Sequence, residues 1–144
     1  MARKPAREAA MSLLYQEIFS RNSSGDYDLE AFEDMASGLV LDKRDTPYIE
    51  DILQGYKDHH EEIDNIIRTN SKGWKFERIS KVDLSILRLA LYEIKYRDDI
   101  PDSVSVNEAV ELGKKYGGEK SGSFINGILG AYLRSRIGST DQPS

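Results

Sequence analysis

Hydrophobic and polar positions along this chain repeat every three to four residues, which is the period of an amphipathic helix. The strongest of these patterns starts at Ser80, where Ser80 and Asp83 have the spacing of a capping box. From there to Ile94 the apolar positions cover most of the helix circumference. A helix that is apolar on nearly all sides is buried among others. We therefore expect the helix after Ser80 to be the packed centre of the fold.

Weaker patterns predict several helices around this central one. They cover residues 5–20, a short stretch from Asp28, Thr46 to about Arg68, Ser105 to Gly117, and a last helix from about Ser121. Thr46 and Ser105 are the expected N-caps. No alternating segment is long enough to predict a strand, so the fold class is all-α with six or seven helices. We expect a single domain over residues 1–138 and a disordered tail over residues 139–144.

Two local features make more specific predictions. Trp74 and Phe76, in the connector before Ser80, are expected to plug the core. Gly127 and Gly130 fall inside the last predicted helix, where each costs about 1 kcal/mol relative to alanine. Their presence suggests the close approach of a neighbouring helix or of a ligand.

Composition and charge narrow the class of protein. The 144 residues include no cysteine, which excludes disulfides and thiolate sites. No apolar run approaches the roughly 20 residues that span a bilayer, and no apolar signal core follows the basic first residues. We therefore expect a cytoplasmic protein without a membrane segment. The net charge of −5 is uneven: residues 25–64 carry 13 acidic and 3 basic side chains, and the rest is mildly basic. Such asymmetry permits a local phosphate-binding face, although a solvated acidic helix beside an ordinary surface explains it equally well.

A search for catalytic motifs finds almost nothing. His59 and His60 are adjacent on a helix and point about 100° apart, so they cannot bind one metal ion from the same face. The run from Gly113 to Ser121 is similar to a phosphate loop, but Glu119 stands where the lysine is required. We therefore predict no enzyme activity, no cofactor and no metal site.

The remaining candidate for function is a binding surface made of cations and aromatic rings. Cations beside an exposed aromatic ring are typical of proteins that bind single-stranded RNA. Phe124 and Tyr15 are the candidate aromatics, although periodicity alone favours a core position for Phe124. The candidate cations are Arg3, Lys4, Arg7, Lys114, Lys115, Lys120, Arg134 and Arg136.

Four sequence blocks, in this order and spacing, resemble the NusB family. They are Arg7-Glu8-Ala9-Ala10 with Leu14-Tyr15, Ile86-Leu87-Arg88-Leu89-Ala90-Leu91-Tyr92-Glu93, Asn107-Glu108-Ala109-Val110-Glu111-Leu112, and Phe124-Ile125-Asn126-Gly127-Ile128-Leu129. The resemblance implies an all-helical fold of two small packed bundles. It also implies a bacterial transcription antitermination factor that binds boxA RNA of nascent ribosomal transcripts. The expected partners are the ribosomal protein NusE and the RNA polymerase antitermination complex.

The same resemblance assigns roles to particular residues. It places RNA contacts at Arg3, Lys4, Arg7, Lys120, Phe124 and Asn126. It makes Tyr15 and Asp83 the candidates for the NusE contact. The chain departs from the family in having fewer N-terminal arginines and in carrying Lys120 where an acidic residue is common.

Two other functions stay open at this point. A NusB-like domain also forms the N-terminal part of certain ribosomal RNA cytosine methyltransferases, but those enzymes carry a catalytic cysteine that this chain lacks. A helical scaffold that binds only protein would leave the basic ends without a role. The sequence also leaves open a homodimer of the free protein.

Overall fold

The computed structural model is all-helical over the residues that it describes, 2–21 and 40–140. Within these ranges five α-helices follow one another and no strand is present. They are α1 (Lys4–Arg21), α2 (Asp45–Asn70), α3 (Lys81–Tyr96), α4 (Asp102–Leu112) and α5 (Ser121–Thr140), with a 3₁₀ turn at Phe76–Arg78 and a π-helical turn at Gly113–Gly117. The predicted all-α class is confirmed. The described ranges hold five helices rather than six or seven, and the short helix predicted from Asp28 lies outside them.

Helix α3 is the centre of the molecule, as its sequence predicts. Ser80 is its N-cap, and the Ser80 hydroxyl accepts a hydrogen bond from the backbone N–H of Asp83 at 3.1 Å. Eleven of its sixteen residues are buried. Helices α1, α2 and α3 pack on one another, and so do α3, α4 and α5. Helix α3 therefore joins two small groups of helices into one core.

Helices α2 and α4 begin earlier than their cap signals predict. Helix α2 begins at Asp45 with Arg44 at the N-cap, so Thr46 is not a cap. Helix α4 begins at Asp102 after Pro101, whose extended backbone (φ −61°, ψ 144°) ends the preceding loop. Ser105 therefore lies inside α4, and its hydroxyl donates to the Glu93 carboxylate at 2.7 Å. The side chain that looks like a cap is thus used for a buried contact.

Helix α2 is longer than predicted and is kinked. Its backbone leaves the helical region at His59 (φ −122°, ψ 21°) and then continues to Asn70. Beyond the kink, Asp64 accepts two hydrogen bonds from Arg88, each 3.0 Å long. This largely buried ion pair joins α2 to α3 at the edge of the core.

Helix α5 runs to Thr140, two residues into the segment predicted to be a tail; residues 141–144 lie outside the described part. A side chain added at Gly127 would meet no described residue within 4 Å, so no helix of residues 2–21 and 40–140 approaches this position. None of the helices in residues 2–21 and 40–140 is both long and apolar enough to span a membrane.

Candidate nucleic-acid interface

Arg3 precedes α1 and Lys4 is its first residue, and the two side chains have different surroundings. The Arg3 guanidinium contacts the Asp45 carboxylate at 2.6 Å and the Asp42 carboxylate at 3.0 Å. Lys4 is exposed. It lines a pocket of about 180 Å³ together with residues of α4 and Lys115. Of these two predicted RNA contacts, Lys4 is open to a ligand, whereas Arg3 is already held by two carboxylates.

Arg7 is part of the core. Only 3% of the residue is exposed, and its guanidinium donates two hydrogen bonds to Glu93, from Nε at 2.9 Å and from the terminal nitrogen at 3.2 Å. Glu93 is completely buried and also accepts from the Tyr48 and Ser105 hydroxyls. The structure therefore gives Arg7 a structural role and leaves no exposed guanidinium for a phosphate.

The charges of this network explain why it is stable when buried. Burial alone lowers the pKa of Arg7, but the hydrogen bonds and negative charge of Glu93 outweigh it, and the net pKa is raised. Burial, together with Glu93, raises the pKa of Tyr48, so Tyr48 stays a neutral donor. A buried charge needs both a partner and satisfied hydrogen bonds, and Glu93 receives both. The sequence signal for this site is one acidic residue in the otherwise apolar face of α3.

The start of α5 presents the clearest exposed cation among the predicted RNA contacts. The π-helical turn ends at Gly118, whose positive φ of 97° suits glycine. Lys120 follows in the turn before α5 and is exposed, with no carboxylate partner in the described ranges. Its carbonyl accepts the backbone N–H of Phe124 at 3.1 Å, so Phe124 lies one turn further along. Asn126 is exposed on the same helix.

A polar contact joins this region to α1. The Lys115 ammonium lies 2.6 Å from the Glu8 carboxylate, which also accepts the Tyr116 hydroxyl at 3.1 Å. The π-helical turn that leads to Lys120 is therefore fixed against the first helix, beside the pocket that Lys4 lines. The π-helical turn thus connects the two predicted RNA-binding segments, the start of α1 and the start of α5.

Trp74 lies on the surface, contrary to the prediction that it plugs the core. It is 59% exposed, whereas Phe76 is half-buried. The Trp74 ring packs against the half-buried Phe124 ring with centroids 5.7 Å apart and planes at 69°. The sequence does not distinguish this surface pair of rings from core packing, because in both cases large aromatic residues occur close to the start of a helix.

Tyr15 and Asp83, the candidates for the protein partner, are both buried. Asp83 points toward Gly117 and Ser121 between α3 and the π-helical turn. One of its carboxylate oxygens is buried without a hydrogen-bond partner in the described structure. Burial raises the pKa of Asp83, more than the nearby Ser121 and Ser80 hydroxyls lower it. Neither side chain offers an exposed group to a partner, and their contact with NusE stays a prediction.

No group of His, Asp or Glu side chains within residues 2–21 and 40–140 is arranged to hold a metal ion. The features that this part of the molecule does offer to a ligand are exposed cations, amides and aromatic rings around the start of α5. These groups suit phosphates and bases.

Comparison with known proteins is consistent with this geometry. The NusB family model matches residues 4–134. The transcription antitermination protein NusB of Acetivibrio thermocellus is 49% identical over 141 residues, which cover 98% of this chain and 94% of that protein. The structure of T. maritima NusB superposes with a TM-score of 0.73 at 32% identity, and the match covers 93% of each chain.

A crystal structure of antitermination factors NusB and NusE in complex with dsRNA is also similar. Its TM-score is 0.71 at 28% identity, with 92% of this chain and 96% of that chain covered. These matches extend over nearly the whole chain and agree with the resemblance of the four sequence blocks. The chain belongs to the NusB family.

Proposed function

We propose that this chain is a transcription antitermination protein that binds boxA-type RNA together with the ribosomal protein NusE. The observation that carries the proposal is the exposed start of α5, where Lys120 lies one turn from the Phe124 ring. Support comes from relatives that are transcription antitermination proteins and from the similar NusB–NusE structure that contains RNA. In this role the chain joins the antitermination complex of RNA polymerase.

The RNA contacts divide by exposure. Lys4 and Lys120 supply positive charge that attracts phosphates, and Asn126 supplies an exposed amide that can bond a base or a sugar. Phe124 supplies part of an aromatic face. Arg7 acts indirectly, because its bond to Glu93 fixes α1 on α3 and so positions Lys4.

This surface works by binding alone and includes no catalytic step. Each phosphate that a lysine neutralises releases condensed counterions, so the logarithm of the affinity falls linearly with the logarithm of the salt concentration. For single strands the slope is about −0.7 for each phosphate contacted. If Lys4 and Lys120 each contact one phosphate, removal of either lysine should make the slope of log affinity against log salt concentration shallower by about 0.7.

Binding of labelled boxA-type RNA to Lys120→Ala at several salt concentrations tests the proposal. Lys57→Ala is the matched control, since Lys57 is also an exposed lysine but lies on the acidic helix α2. We expect Lys120→Ala to weaken binding and to flatten the salt slope, while Lys57→Ala leaves the slope unchanged. Failure of the wild-type protein to bind this RNA at low salt would refute RNA recognition.

A scaffold that binds only protein is the second candidate, and the pairing of Arg3 and the burial of Arg7 favour it. The two candidates differ in one result. Equal RNA affinity of the wild type, Lys120→Ala and Lys4→Ala would favour the scaffold.

A further inference from the structure

An aromatic groove lies between the connector that follows α2 and the outer face of α5. We use "aromatic groove" for the pocket of about 280 Å³ whose lining includes Trp74, Phe124, Gly127, Lys72 and Arg134. This volume is just below the range of ligand pockets, which span about 300–1,000 Å³. The groove therefore fits one small planar ring rather than a drug-sized molecule.

The two rings of the groove form an open corner. Their planes meet at 69° with centroids 5.7 Å apart, so the edge of one ring contacts the face of the other. Trp74 is 59% exposed, which leaves a large part of its indole free for stacking. Gly127 adds no side chain, and an added Cβ there would meet none of the residues that the structure describes within 4 Å. A planar ring can therefore lie on the indole without displacing a neighbour.

The two cations of the groove have no carboxylate partner in the described part of the chain. Lys72 and Arg134 are exposed, and neither forms an ion pair with a described residue. By contrast, Arg3, Arg88 and Arg97 are each held by an aspartate at 3.0 Å or less. The groove thus combines two aromatic rings with two unpaired positive charges, which suits a flat ring attached to a phosphate.

We propose that the aromatic groove binds an unpaired nucleobase of the RNA, with Trp74 as the stacking platform and Lys72 and Arg134 at the adjacent phosphates. The groove is continuous with the start of α5, because Phe124 belongs to both. This inference rests on the proposed function and extends it, since it adds a subsite beyond Lys120 and assigns Trp74 a role in binding.

A second copy of the chain is a less suitable occupant. In a symmetric dimer the same patch faces itself. Lys72 and Arg134 would then face the same two cations of the other copy, and like charges across an interface oppose association. A nucleic acid instead carries negative phosphates, which can pair with these two cations.

Trp74 is the only tryptophan of the chain, so its fluorescence reports on the groove alone. The experiment titrates unlabelled boxA-type RNA into the protein and follows this fluorescence. Labelled RNA measures affinity independently for the wild type, Trp74→Ala, Trp74→Tyr and the control Leu41→Ala. Leu41 is also an exposed large apolar side chain, but it lies outside the groove.

We expect RNA to quench the Trp74 fluorescence at the concentrations at which the labelled RNA binds. Trp74→Ala should weaken binding about 5- to 150-fold, which is the range for loss of one stacked base. Trp74→Tyr should retain most of the affinity, and Leu41→Ala should leave it unchanged.

The possible failures are distinguishable. If labelled RNA binds the wild type but the fluorescence is unchanged and Trp74→Ala binds equally well, the groove is not a base site and the proposed function stands. The same holds if Trp74→Ala changes only the oligomeric state, which would identify the groove as a contact between copies. If no RNA binds the wild type at all, the proposed function and this inference both fail.

Discussion

Replacing Arg7 by alanine should destabilise the protein far more than it changes an RNA contact. The Arg7 guanidinium donates two of the four hydrogen bonds that the buried Glu93 carboxylate accepts. The substitution removes the positive charge and leaves Glu93 with only the Tyr48 and Ser105 hydroxyls. It therefore creates a buried negative charge without a counter-ion.

The structure sets the size of this effect. Removing one partner of a buried ion pair costs about 3–5 kcal/mol. Because two donors remain on Glu93, we expect Arg7→Ala to lie near about 3 kcal/mol and Glu93→Ala, which strands the arginine, near about 5 kcal/mol. With a urea m-value of about 2 kcal/mol per molar, the midpoint of unfolding should fall by about 1.5–2.5 M.

Urea unfolding followed by circular dichroism measures these midpoints. Lys4→Ala is the matched control, since it removes an exposed cation from the same turn and should change the free energy of unfolding by less than about 0.5 kcal/mol. In the double variant the two losses should be strongly non-additive, because both substitutions break the same bonds. A stable Arg7→Ala protein that has lost RNA binding would refute the structural role of Arg7.

Three further predictions concern stability. Gly55→Ala should lower the free energy of unfolding in urea by about 1–3 kcal/mol, because an added Cβ would overlap the Tyr92 ring. A neutral effect would contradict this packing. Arg88→Ala should cost about 3 kcal/mol, since it leaves the largely buried Asp64 carboxylate without its cation, and a loss below about 0.5 kcal/mol would show that solvent replaces the pair. Burial raises the pKa of Asp83 from its ordinary 3.8, so ionisation is less favourable in the folded state. Its contribution to stability is therefore present below pH 3.8 and is lost as the pH rises through the raised pKa. Melting curves should show this fall in the wild type relative to Asp83→Asn, and a difference that does not depend on pH would contradict it.

Features set by local chemistry could be predicted from the sequence. The cap of α3 depends on one hydroxyl and a backbone N–H three residues away, so the pattern at Ser80 and Asp83 is sufficient. The central position of α3 follows from apolar residues around its whole circumference. The stop at Gly118 follows from a conformation that glycine adopts readily.

Features set by distant contacts could not be predicted in this way. Ser105 has the same local cap pattern as Ser80, but Pro101 starts α4 earlier and the buried Glu93 recruits the serine hydroxyl. Arg7 and Lys4 are both cations at a helix start, and only the position of Glu93, 86 residues further along, separates a core residue from a surface one. The exposure of Trp74 likewise depends on where the Phe124 ring lies.

The central claim is that this chain recognises boxA-type RNA jointly with NusE. A titration of labelled boxA-type RNA with the chain, with and without saturating NusE, tests it most directly. We predict saturable binding that NusE tightens, and by reciprocity RNA should tighten NusE binding by the same factor. No binding at low salt, or an RNA affinity that NusE leaves unchanged, would contradict the account.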